Sequence, residues 1–263
     1  MSSGDGVTLV VGGSGGIGLA TARELAGAGR PVVAAARPSR RLDELARSAQ
    51  REGCPLRTLP VDVTSASSVA ELFARLDGTP LTACVHTAGR NLSRRLLVPP
   101  EEDGQDWRTH PEQEWRDIVD LCLTGTFLVG RAAAKAFARQ GTGGVLVTVA
   151  SSTWPGSWGQ SAYSAAKAGV VSLTRSWALE LGEYGIRVVC VAPGVVDGEA
   201  LRAKCASRPR HAAYLERLRR HVPLGRFAAE HEVAAAIVHA IDNEYLTGTV
   251  LEVHGGGFPG RID

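Results

Sequence analysis

The sequence lacks the residue patterns that bind metals or form disulfide frameworks. Its five cysteines (Cys54, Cys84, Cys122, Cys190 and Cys205) are odd in number, widely spaced and without a CxxC pair. Its seven histidines form no cluster with metal-ligand spacing. A disulfide-rich secreted protein, a zinc site and a metal-dependent hydrolase are therefore disfavoured. We expect reduced thiols, no metal and a cytoplasmic location.

Long apolar runs and a strong net charge are missing as well. No stretch approaches 18 uninterrupted apolar residues, and the segment 1–5 is not a basic region followed by an apolar run. We therefore expect neither a membrane span nor a signal peptide. The formal net charge of +2 argues against nucleic acid or a membrane surface as the main partner.

The apolar residues occur instead in short valine-rich runs that alternate with longer segments of helical periodicity. The runs lack strict in-and-out alternation, which is typical of strands buried on both faces. The predicted strands are 7–11, 31–36, 56–61, 81–87, 145–150, 187–191 and 250–253. The predicted helices are 17–28, 41–52, 67–76, 112–139, 162–183 and 230–241.

Seven strands with intervening helices predict a single α/β domain over residues 1–263, with a Rossmann-type, doubly wound, seven-stranded parallel sheet. Two stretches break the alternation. We interpret 90–111, with a proline-rich and acidic centre, as an extended exposed loop. The basic stretch 197–223 is either a substrate lid or a solvated helix surface. Both follow predicted strands, at the carboxyl edge where such sheets bind ligands.

A glycine-rich segment joins the first predicted strand to the first predicted helix. Glycines permit positive φ and let a pyrophosphate approach the backbone closely. The helix N-terminus then offers free N–H groups and the positive end of its dipole to that anion. A tight steric turn would also need glycine, but a position in the first strand–helix unit favours dinucleotide binding. The predicted cofactor-binding residues here are Gly12, Ser14, Gly15, Gly16, Ile17 and Gly18.

Tyr163 and Lys167 carry the most specific chemical signal in the sequence. Residues four apart share one face of a helix, so the phenol and the ammonium are predicted to be neighbours. A fixed cation beside a phenol favours the phenolate, which eases proton exchange. Tyr163 can then donate a proton to a developing alkoxide, or accept one from an alcohol. An accidental pair on a helix surface is disfavoured, because these residues follow both the glycine segment and a strand that ends in serine.

In the order of these motifs the chain resembles the short-chain dehydrogenase/reductase family over essentially its whole length, in particular the 3-oxoacyl-carrier-protein reductases. Gly12, Gly16 and Gly18 match the glycines of the family's TGxxxGxG, although its threonine is replaced. The resemblance implies an oxidoreductase that moves hydride between a nicotinamide dinucleotide and a carbonyl or alcohol. It also implies that Tyr163 is the proton donor and that Lys167 holds the cofactor ribose.

The resemblance further implies contacts to the adenine, ribose and nicotinamide. The matching residues are Asp62, Val63, Ala88, Gly89, Pro193, Gly194 and Val196. Two of the motifs that contain these residues depart from the family pattern. Gly198 replaces the threonine of PGxVxT, which removes a hydroxyl donor near the phosphates. His86 replaces the first asparagine of Asn-Asn-Ala-Gly, and we interpret it as a structural variant rather than a catalytic base.

The end of the second predicted strand indicates which cofactor binds. An NAD-preferring site carries an acidic residue there to accept a hydrogen bond from the ribose 2′-hydroxyl, but here Ala36 is followed by Arg37. A guanidinium pairs well with phosphate, so NADP(H) is favoured over NAD(H). Two observations weigh against this preference. Arginine is the common cation of this chain, and Gly15 stands where the family has its other NADP-binding basic residue.

The serine of the predicted catalytic set is Ser151 or Ser152. In the family, the fifth strand ends in the serine that positions and polarises the carbonyl, and strand register favours Ser151. This serine precedes Tyr163 by twelve residues, one fewer than is usual. The shortened segment contains Trp154 and Trp158, which would either wall an apolar substrate or simply pack.

Cys122 is the main departure from the family pattern. It occupies the place of an asparagine that holds a water linking the lysine to solvent. A thiol is only a weak hydrogen-bond donor and acceptor. Three alternatives follow: another group serves the relay, turnover is slow, or the fold serves other chemistry. We favour the first, because Tyr163, Lys167 and a serine occur together.

Two functions compete at this point. The first is NADP(H)-dependent reduction of a ketone, or oxidation of a secondary alcohol, in secondary metabolism. Its substrate is a free small molecule or a carrier-bound thioester, whose acidic carrier the basic stretch from Arg202 to Arg220 would meet. The second is a redox-silent or diverted protein of the same fold, such as a cyclase, lyase or cofactor-binding sensor. The resemblance also implies a homotetramer or a homodimer.

Overall fold

The computed structural model describes residues 6–102, 106–207 and 209–257, and its side chains except those of 200, 204 and 209–211. The segment 1–5, residues 103–105 of the predicted loop and residue 208 of the predicted lid lie outside the described residues. The strands are β1 Val7–Val11, β2 Val32–Ala36, β3 Leu56–Pro60, β4 Leu81–His86, β5 Leu97–Val98, β6 Arg108–Thr109, β7 Gly144–Val149, β8 Ile186–Pro193 and β9 Val250–Val253. The α-helices are α1 Gly16–Gly27, α2 Arg40–Glu52, α3 Ala66–Ala74, α4 Glu112–Val119, α5 Gly125–Gln140, α6 Ser161–Leu181, α7 Glu199–Ser207, α8 Pro209–Arg220 and α9 Glu230–Asp242.

Seven strands form one parallel sheet in the order β3-β2-β1-β4-β7-β8-β9. The strands β1, β2, β4, β7 and β8 are largely buried on both faces, whereas the edge strands β3 and β9 are only partly buried. Successive side chains point to opposite sides of the sheet. Val10, Ala34 and Val147 face α1 and α9. Leu9 and Leu146 face α3 and α5 on the other side. The predicted single-domain, doubly wound parallel sheet is confirmed.

The strand order reverses at β1, and this reversal sets the position of the candidate site. From β1 the chain builds outward to β2 and β3, and then returns to place β4 on the other side of β1. Open parallel sheets bind ligands at such a switch point, beyond the carboxyl ends of the strands. The segments that follow β1, β4, β7 and β8 all leave the sheet at this edge.

Three stretches differ from the sequence prediction. The predicted helix 112–139 is interrupted, because a π-helical turn at Asp120–Thr124 separates α4 from α5. The predicted loop 90–111 contains the antiparallel pair of β5 and β6, with Leu97 opposite Thr109. The predicted lid 197–223 contains the two helices α7 and α8. In the described parts of 90–111 and 197–223, the strands and helices are too short or too polar to show a regular spacing of apolar residues in the sequence.

The helical stretch Glu112–Gln140 is the one part of the described residues that could cross a membrane by length and composition. Within it, Ile118, Val129 and Phe137 are completely buried inside the fold. Packing against the sheet and against α6 therefore accounts for its apolar face.

Candidate active site

The glycine segment fits tightly against the end of β4. Gly12 has a φ of +88°, and a β-carbon there would lie 2.6 Å from Oγ1 of Thr87 and 2.7 Å from the amide nitrogen of Ala88. A β-carbon on Gly18 would collide with the carbonyl oxygen of Gly12. The Thr87 hydroxyl donates to the carbonyl of Val11 at 2.9 Å, which joins the ends of β1 and β4. Glycine is therefore required at positions 12 and 18 by close backbone approach.

The opposite side of the same segment faces a groove. β-Carbons on Gly15 and Gly16 would meet no described heavy atom closer than 3.7 Å and 3.8 Å, respectively. Helix α1 begins at Gly16, and no side chain caps its first turn. Free N–H groups and the positive end of the helix dipole therefore face this groove, where Ser14 and Ile17 are half-buried. These features fit the pyrophosphate of a dinucleotide.

The ends of β2 and β3 flank the groove. Ala36 is buried, whereas Arg37 is exposed and, among the described residues, makes no hydrogen bond or ion pair. Asp62 follows β3 and accepts hydrogen bonds from the Thr64 hydroxyl at 2.7 Å and the Thr64 amide at 3.0 Å. These bonds hold the pKa of Asp62 below its usual range. Val63 is buried and contacts Gly125 at the start of α5.

Tyr163 and Lys167 lie on the first two turns of α6. The Nζ atom of Lys167 is 5.7 Å from the centre of the Tyr163 ring. Lys167 is 4% exposed, and its ammonium donates to the carbonyl of Val149 at 2.6 Å, at the end of β7. This bond fixes a buried cation beside the phenol, as the spacing predicts. The half-buried Tyr163 packs against the apolar cluster that includes Ala162 and Ala166.

Ser151 and Ser152 have different surroundings, although both are buried. The Ser151 oxygen accepts hydrogen bonds from the amide of Thr153 at 3.3 Å and from its hydroxyl at 3.0 Å. Ser152 lines a cavity of about 100 Å³ between α8 and the end of β9, together with Leu218 and Phe227. Ser152 therefore lines this cavity, whereas Ser151 does not.

The two tryptophans of the shortened segment are also separated. Trp154 is half-buried against the core beside α6, and its Nε1 donates to Glu252 at 3.3 Å. Trp158 is 52% exposed, and the guanidinium of Arg95 lies 5.5 Å from the centre of its ring. Trp154 therefore has a packing role, whereas Trp158 contributes to the surface beside the stretch 90–111.

Cys122 lies in the π-helical turn and is completely buried. Its Sγ atom is 3.8 Å from the carbonyl oxygen of Arg90, and its own carbonyl accepts a hydrogen bond from the Thr126 hydroxyl at 2.8 Å. A β-carbon on Gly89 would lie 3.5 Å from this Sγ and 3.6 Å from Nζ of Lys167. The thiol and the buried ammonium therefore both border Gly89, and the thiol occupies the place where the family has its asparagine.

His86, at the end of β4, is 2% exposed, and neither ring nitrogen has a hydrogen-bond partner among the described residues. Burial, and after it the charge of Lys167, lowers the pKa of His86 to about 3. The imidazole is therefore neutral near pH 7. This is consistent with a structural position, since a general base needs a pKa nearer to the working pH.

The segment after β8 closes the carboxyl edge. The Gly194 amide donates to the carbonyl of Val253 at 2.9 Å, and a β-carbon on Gly194 would lie 2.9 Å from the α-carbon of His254. Pro193 ends β8, and Val196 pairs with Ala228. The predicted residues 193, 194 and 196 thus lie between β9 and the start of α9.

Two charged residues lie at the groove beyond the predicted cofactor-binding residues: Arg41, which the sequence places close to Arg37, and Glu230, for which the sequence carries no direct signal. Arg41 approaches Gly15, and its Nη2 pairs with Oε1 of Glu199 at 2.8 Å. Glu230, the first residue of α9, contacts Gly198 through its carboxylate. The replacement at position 198 was the available signal, but only the packing of α9 against α1 brings residue 230 to it.

The short chain dehydrogenase family model matches residues 6–208. The chain belongs to the short-chain dehydrogenase/reductase family. It is 35% identical over 246 residues to a (5R,7aS)-5-hydroxy-7a-methyl-1-oxo-2,3,5,6,7,7a-hexahydro-1H-indene-carboxyl-CoA reductase of Mycobacterium tuberculosis, with 90% of this chain and 87% of the relative covered. It is 31% identical to the 3-oxoacyl-[acyl-carrier-protein] reductase of Thermotoga maritima, with 95% and 96% covered.

A solved structure of a short-chain type dehydrogenase/reductase from Mycobacterium ulcerans has the same fold, with a TM-score of 0.81 and 27% identity. The match covers 97% of this chain and 90% of that one. Together, the family match and the similarity to named reductases show that this short-chain dehydrogenase/reductase is an NAD(P)-dependent oxidoreductase.

Proposed function

We propose that this family member reduces a ketone with NADPH, or oxidises a secondary alcohol with NADP⁺, and that Tyr163, Lys167 and Ser151 perform the acid-base chemistry. The observation that carries the proposal is the buried ammonium of Lys167, fixed by the Val149 carbonyl at 2.6 Å and 5.7 Å from the Tyr163 ring. A buried cation that one carbonyl only partly compensates favours a neighbouring negative charge, such as a phenolate.

In the direction of reduction, the Tyr163 hydroxyl donates its proton to the carbonyl oxygen as negative charge develops there. The Ser151 hydroxyl donates a hydrogen bond to the same oxygen and orients the carbonyl. Lys167 stabilises the phenolate that remains and binds the ribose hydroxyls. The bound nicotinamide supplies the hydride. In the reverse direction Tyr163 accepts the alcohol proton.

The cofactor lies, in this proposal, across the switch point of the sheet. The pyrophosphate binds the groove at the start of α1, and the adenine lies beside Asp62 and Val63. The proposed binding residues are Gly12, Ser14, Gly15, Gly16, Ile17, Gly18, Arg37, Asp62, Val63, Ala88, Gly89, Tyr163, Lys167, Pro193, Gly194 and Val196. The open space in front of Gly15 and Gly16 supports this placement.

The preference for NADP(H) rests on Arg37. Its guanidinium is exposed at the end of β2, makes no hydrogen bond or ion pair with a described residue, and follows an alanine where an NAD site has a carboxylate. Its charge also acts on the nearby Asp62 carboxylate. A bidentate pair with the 2′-phosphate uses that guanidinium.

Replacing Tyr163 tests the chemical step. We expect Tyr163→Phe to lower kcat for reduction of a carbonyl panel by roughly 100- to 10,000-fold while the Kd for NADPH stays unchanged. Tyr184→Phe, at an exposed tyrosine beyond α6, is the matched control and should keep wild-type activity. Full activity in Tyr163→Phe, or tight NADPH binding without reduction of any carbonyl by the wild-type protein, would overturn the proposal.

Replacing Arg37 tests the cofactor preference. Because hydrogen bonds to a charged group contribute about 1.5–3 kcal/mol, Arg37→Asp should lower kcat/KM for NADPH by roughly 10- to 150-fold. Its kcat/KM for NADH should hold or rise. Arg47→Asp, on α2 outside the groove, is the control. The preference is wrong if the kcat/KM of the wild-type protein is no higher with NADPH than with NADH.

The substrate enters, we propose, beneath the lid 197–223, whose helix α8 is basic in its last turn at Arg217, Arg219 and Arg220. Arg219 and Arg220 pair with Glu216, while Arg217 is exposed. An acidic carrier on this surface would make carrier-bound thioesters better substrates than the free ketone. Arg217→Glu should then lower kcat/KM for the carrier-bound substrate alone. Equal effects on both substrates would favour a free ketone.

We further propose a cytoplasmic homotetramer, or a homodimer, with α5 and α6 in the interface. Phe127 on α5 and Leu179 on α6 support it, because they are 41% and 87% exposed in the single chain. Light scattering that gives the mass of one chain would contradict this assembly. The described thiols are unpaired, which is consistent with a reducing compartment.

A further inference from the structure

Glu230 places a carboxylate at the groove between the glycine segment and the segment after β8. A β-carbon on Gly16 would lie 3.8 Å from its Oε1. A β-carbon on Gly198 would collide with the same oxygen. The position is held by packing between α9 and α1, in which Val233 and Ile237 meet Ala22 and Leu25 in the buried core.

The position of the Glu230 carboxylate depends on the absence of a side chain at Gly198. Any residue larger than glycine at 198 would require Glu230 to move. The threonine that the family resemblance leads one to expect there would supply a hydroxyl donor for a phosphate. This chain presents a carboxylate in its place, which reverses the polarity of that wall of the groove.

No described residue neutralises this carboxylate. Glu230 is half-buried, and among the described residues its side chain makes no hydrogen bond or ion pair. The nearby cation Arg41 is already paired with Glu199 at 2.8 Å. A dinucleotide pyrophosphate, which itself carries two negative charges, therefore approaches the start of α1 where Arg41, Glu199 and Glu230 together leave a negative balance.

We propose that Glu230 sets dinucleotide affinity by electrostatic repulsion: its carboxylate weakens binding of the pyrophosphate and speeds cofactor release. The inference rests on the proposed placement of the pyrophosphate at the start of α1. Like charges a few ångströms apart at a half-buried site repel strongly, whereas an amide of the same shape does not. Since the effect concerns phosphates common to both cofactors, it changes the affinities for NADPH and NADH alike. This distinguishes Glu230 from Arg37, which discriminates between them.

The test is the Kd and dissociation rate of NADPH and NADH for wild type and E230Q, measured by cofactor fluorescence and stopped flow. We expect about five- to tenfold tighter binding of both cofactors in E230Q, chiefly through slower dissociation. Competition by adenosine, which has no phosphate, should be unchanged. E230D keeps the charge and should bind the cofactors as wild type does. E24Q removes a charge from the exposed face of α1 and should also bind as wild type.

The outcomes separate this inference from the proposed function. Unchanged or weaker cofactor binding in E230Q overturns the repulsive role of Glu230, while the cofactor site stands. Absence of NADPH and NADH binding in every variant overturns the placement of the cofactor itself. If E230Q does not fold, added salt still decides the matter in the wild-type protein. Screened repulsion predicts that the Kd for NADH falls as salt rises, and a constant or rising Kd contradicts it.

Discussion

Cys122 and Lys167 both border the space beside Gly89, where a β-carbon would lie 3.5 Å from the thiol sulfur and 3.6 Å from the ammonium nitrogen. The buried ammonium already donates to the Val149 carbonyl. Its other hydrogens need acceptors, and a thiol is a poor one. The neighbour that the family uses to hold a water beside this lysine is therefore absent from this chain.

Replacing Cys122 with asparagine tests whether the proton relay is compromised. A hydrogen bond contributes about 0.5–1.5 kcal/mol, so a relay that needs an amide at position 122 would gain roughly two- to tenfold in kcat for carbonyl reduction. Because we favour a relay through another group, we expect kcat and KM of Cys122→Asn to match those of wild type in steady-state and single-turnover measurements. Cys54→Asn, at a half-buried thiol after α2, is the control. A gain in Cys122→Asn that is absent from the control would contradict the alternative relay.

The glycine segment offers a matched pair of substitutions. Gly12→Ala combines a φ of +88° with contacts of 2.6 Å and 2.7 Å, and we expect it to lower the free energy of unfolding by about 2–4 kcal/mol. Gly15→Ala should cost less than about 1 kcal/mol, because its φ is −167° and its β-carbon would make only an ordinary contact with the Arg41 guanidinium at 3.7 Å. Urea unfolding without cofactor measures the free energy of unfolding of both variants. An equal decrease in the two variants would contradict the close approach of the glycine segment to β4.

His86 predicts a specific acid sensitivity. Its pKa is lowered to about 3 in the folded protein, whereas an unfolded histidine titrates near 6.5. Between these values the unfolded state binds one more proton. This residue therefore makes stability fall by roughly 1.4 kcal/mol per unit as pH drops from 6.5 towards 3. His86→Asn should flatten the pH dependence of urea unfolding in that window. A variant curve parallel to that of wild type would show that His86 is not the proton acceptor.

Arg187 predicts a structural loss unrelated to chemistry. Its guanidinium donates to the carbonyls of Ala240 at 3.0 Å, Ile241 at 2.6 Å and Leu246 at 2.9 Å, which joins β8 to the end of α9. Arg187→Met leaves three carbonyls without this donor and should lower the free energy of unfolding by about 2–4 kcal/mol. Arg187→Lys should lose less. If chemical unfolding gives the same free energy of unfolding for Arg187→Met and for wild type, this role is contradicted.

The sequence was sufficient for the sheet and for the residues that a local motif defines. Val7–Val11 and Val250–Val253 are predicted with the observed bounds, because buried parallel strands are short, apolar and rich in valine. The neighbouring positions of Tyr163 and Lys167 follow from helical spacing alone. The π-helical turn at Asp120–Thr124 could not be predicted, because one extra residue in a turn leaves the apolar pattern almost unchanged.

Long-range placement was beyond the sequence. Glu230 lies 32 positions from Gly198 in the chain, and only the packing of α9 against α1 brings them together. Ser151 bonds to Thr153 and Ser152 lines the cavity. These different surroundings depend on how the chain turns after β7. The helices α7 and α8 are polar on much of their surface, so that their apolar stripe is too narrow to distinguish from a loop.

Thr87 has a consequence for recombining this protein with its relatives. Its hydroxyl holds the last carbonyl of β1 and fills the space that side chains on Gly12 and Gly18 would need. The phosphate loop is therefore not a separable module: its shape is templated by a residue about 70 positions away along the chain. A chimera that takes the glycine segment from a relative with asparagine at position 87 must also take the end of β4 from that relative. The smallest transferable unit is discontinuous.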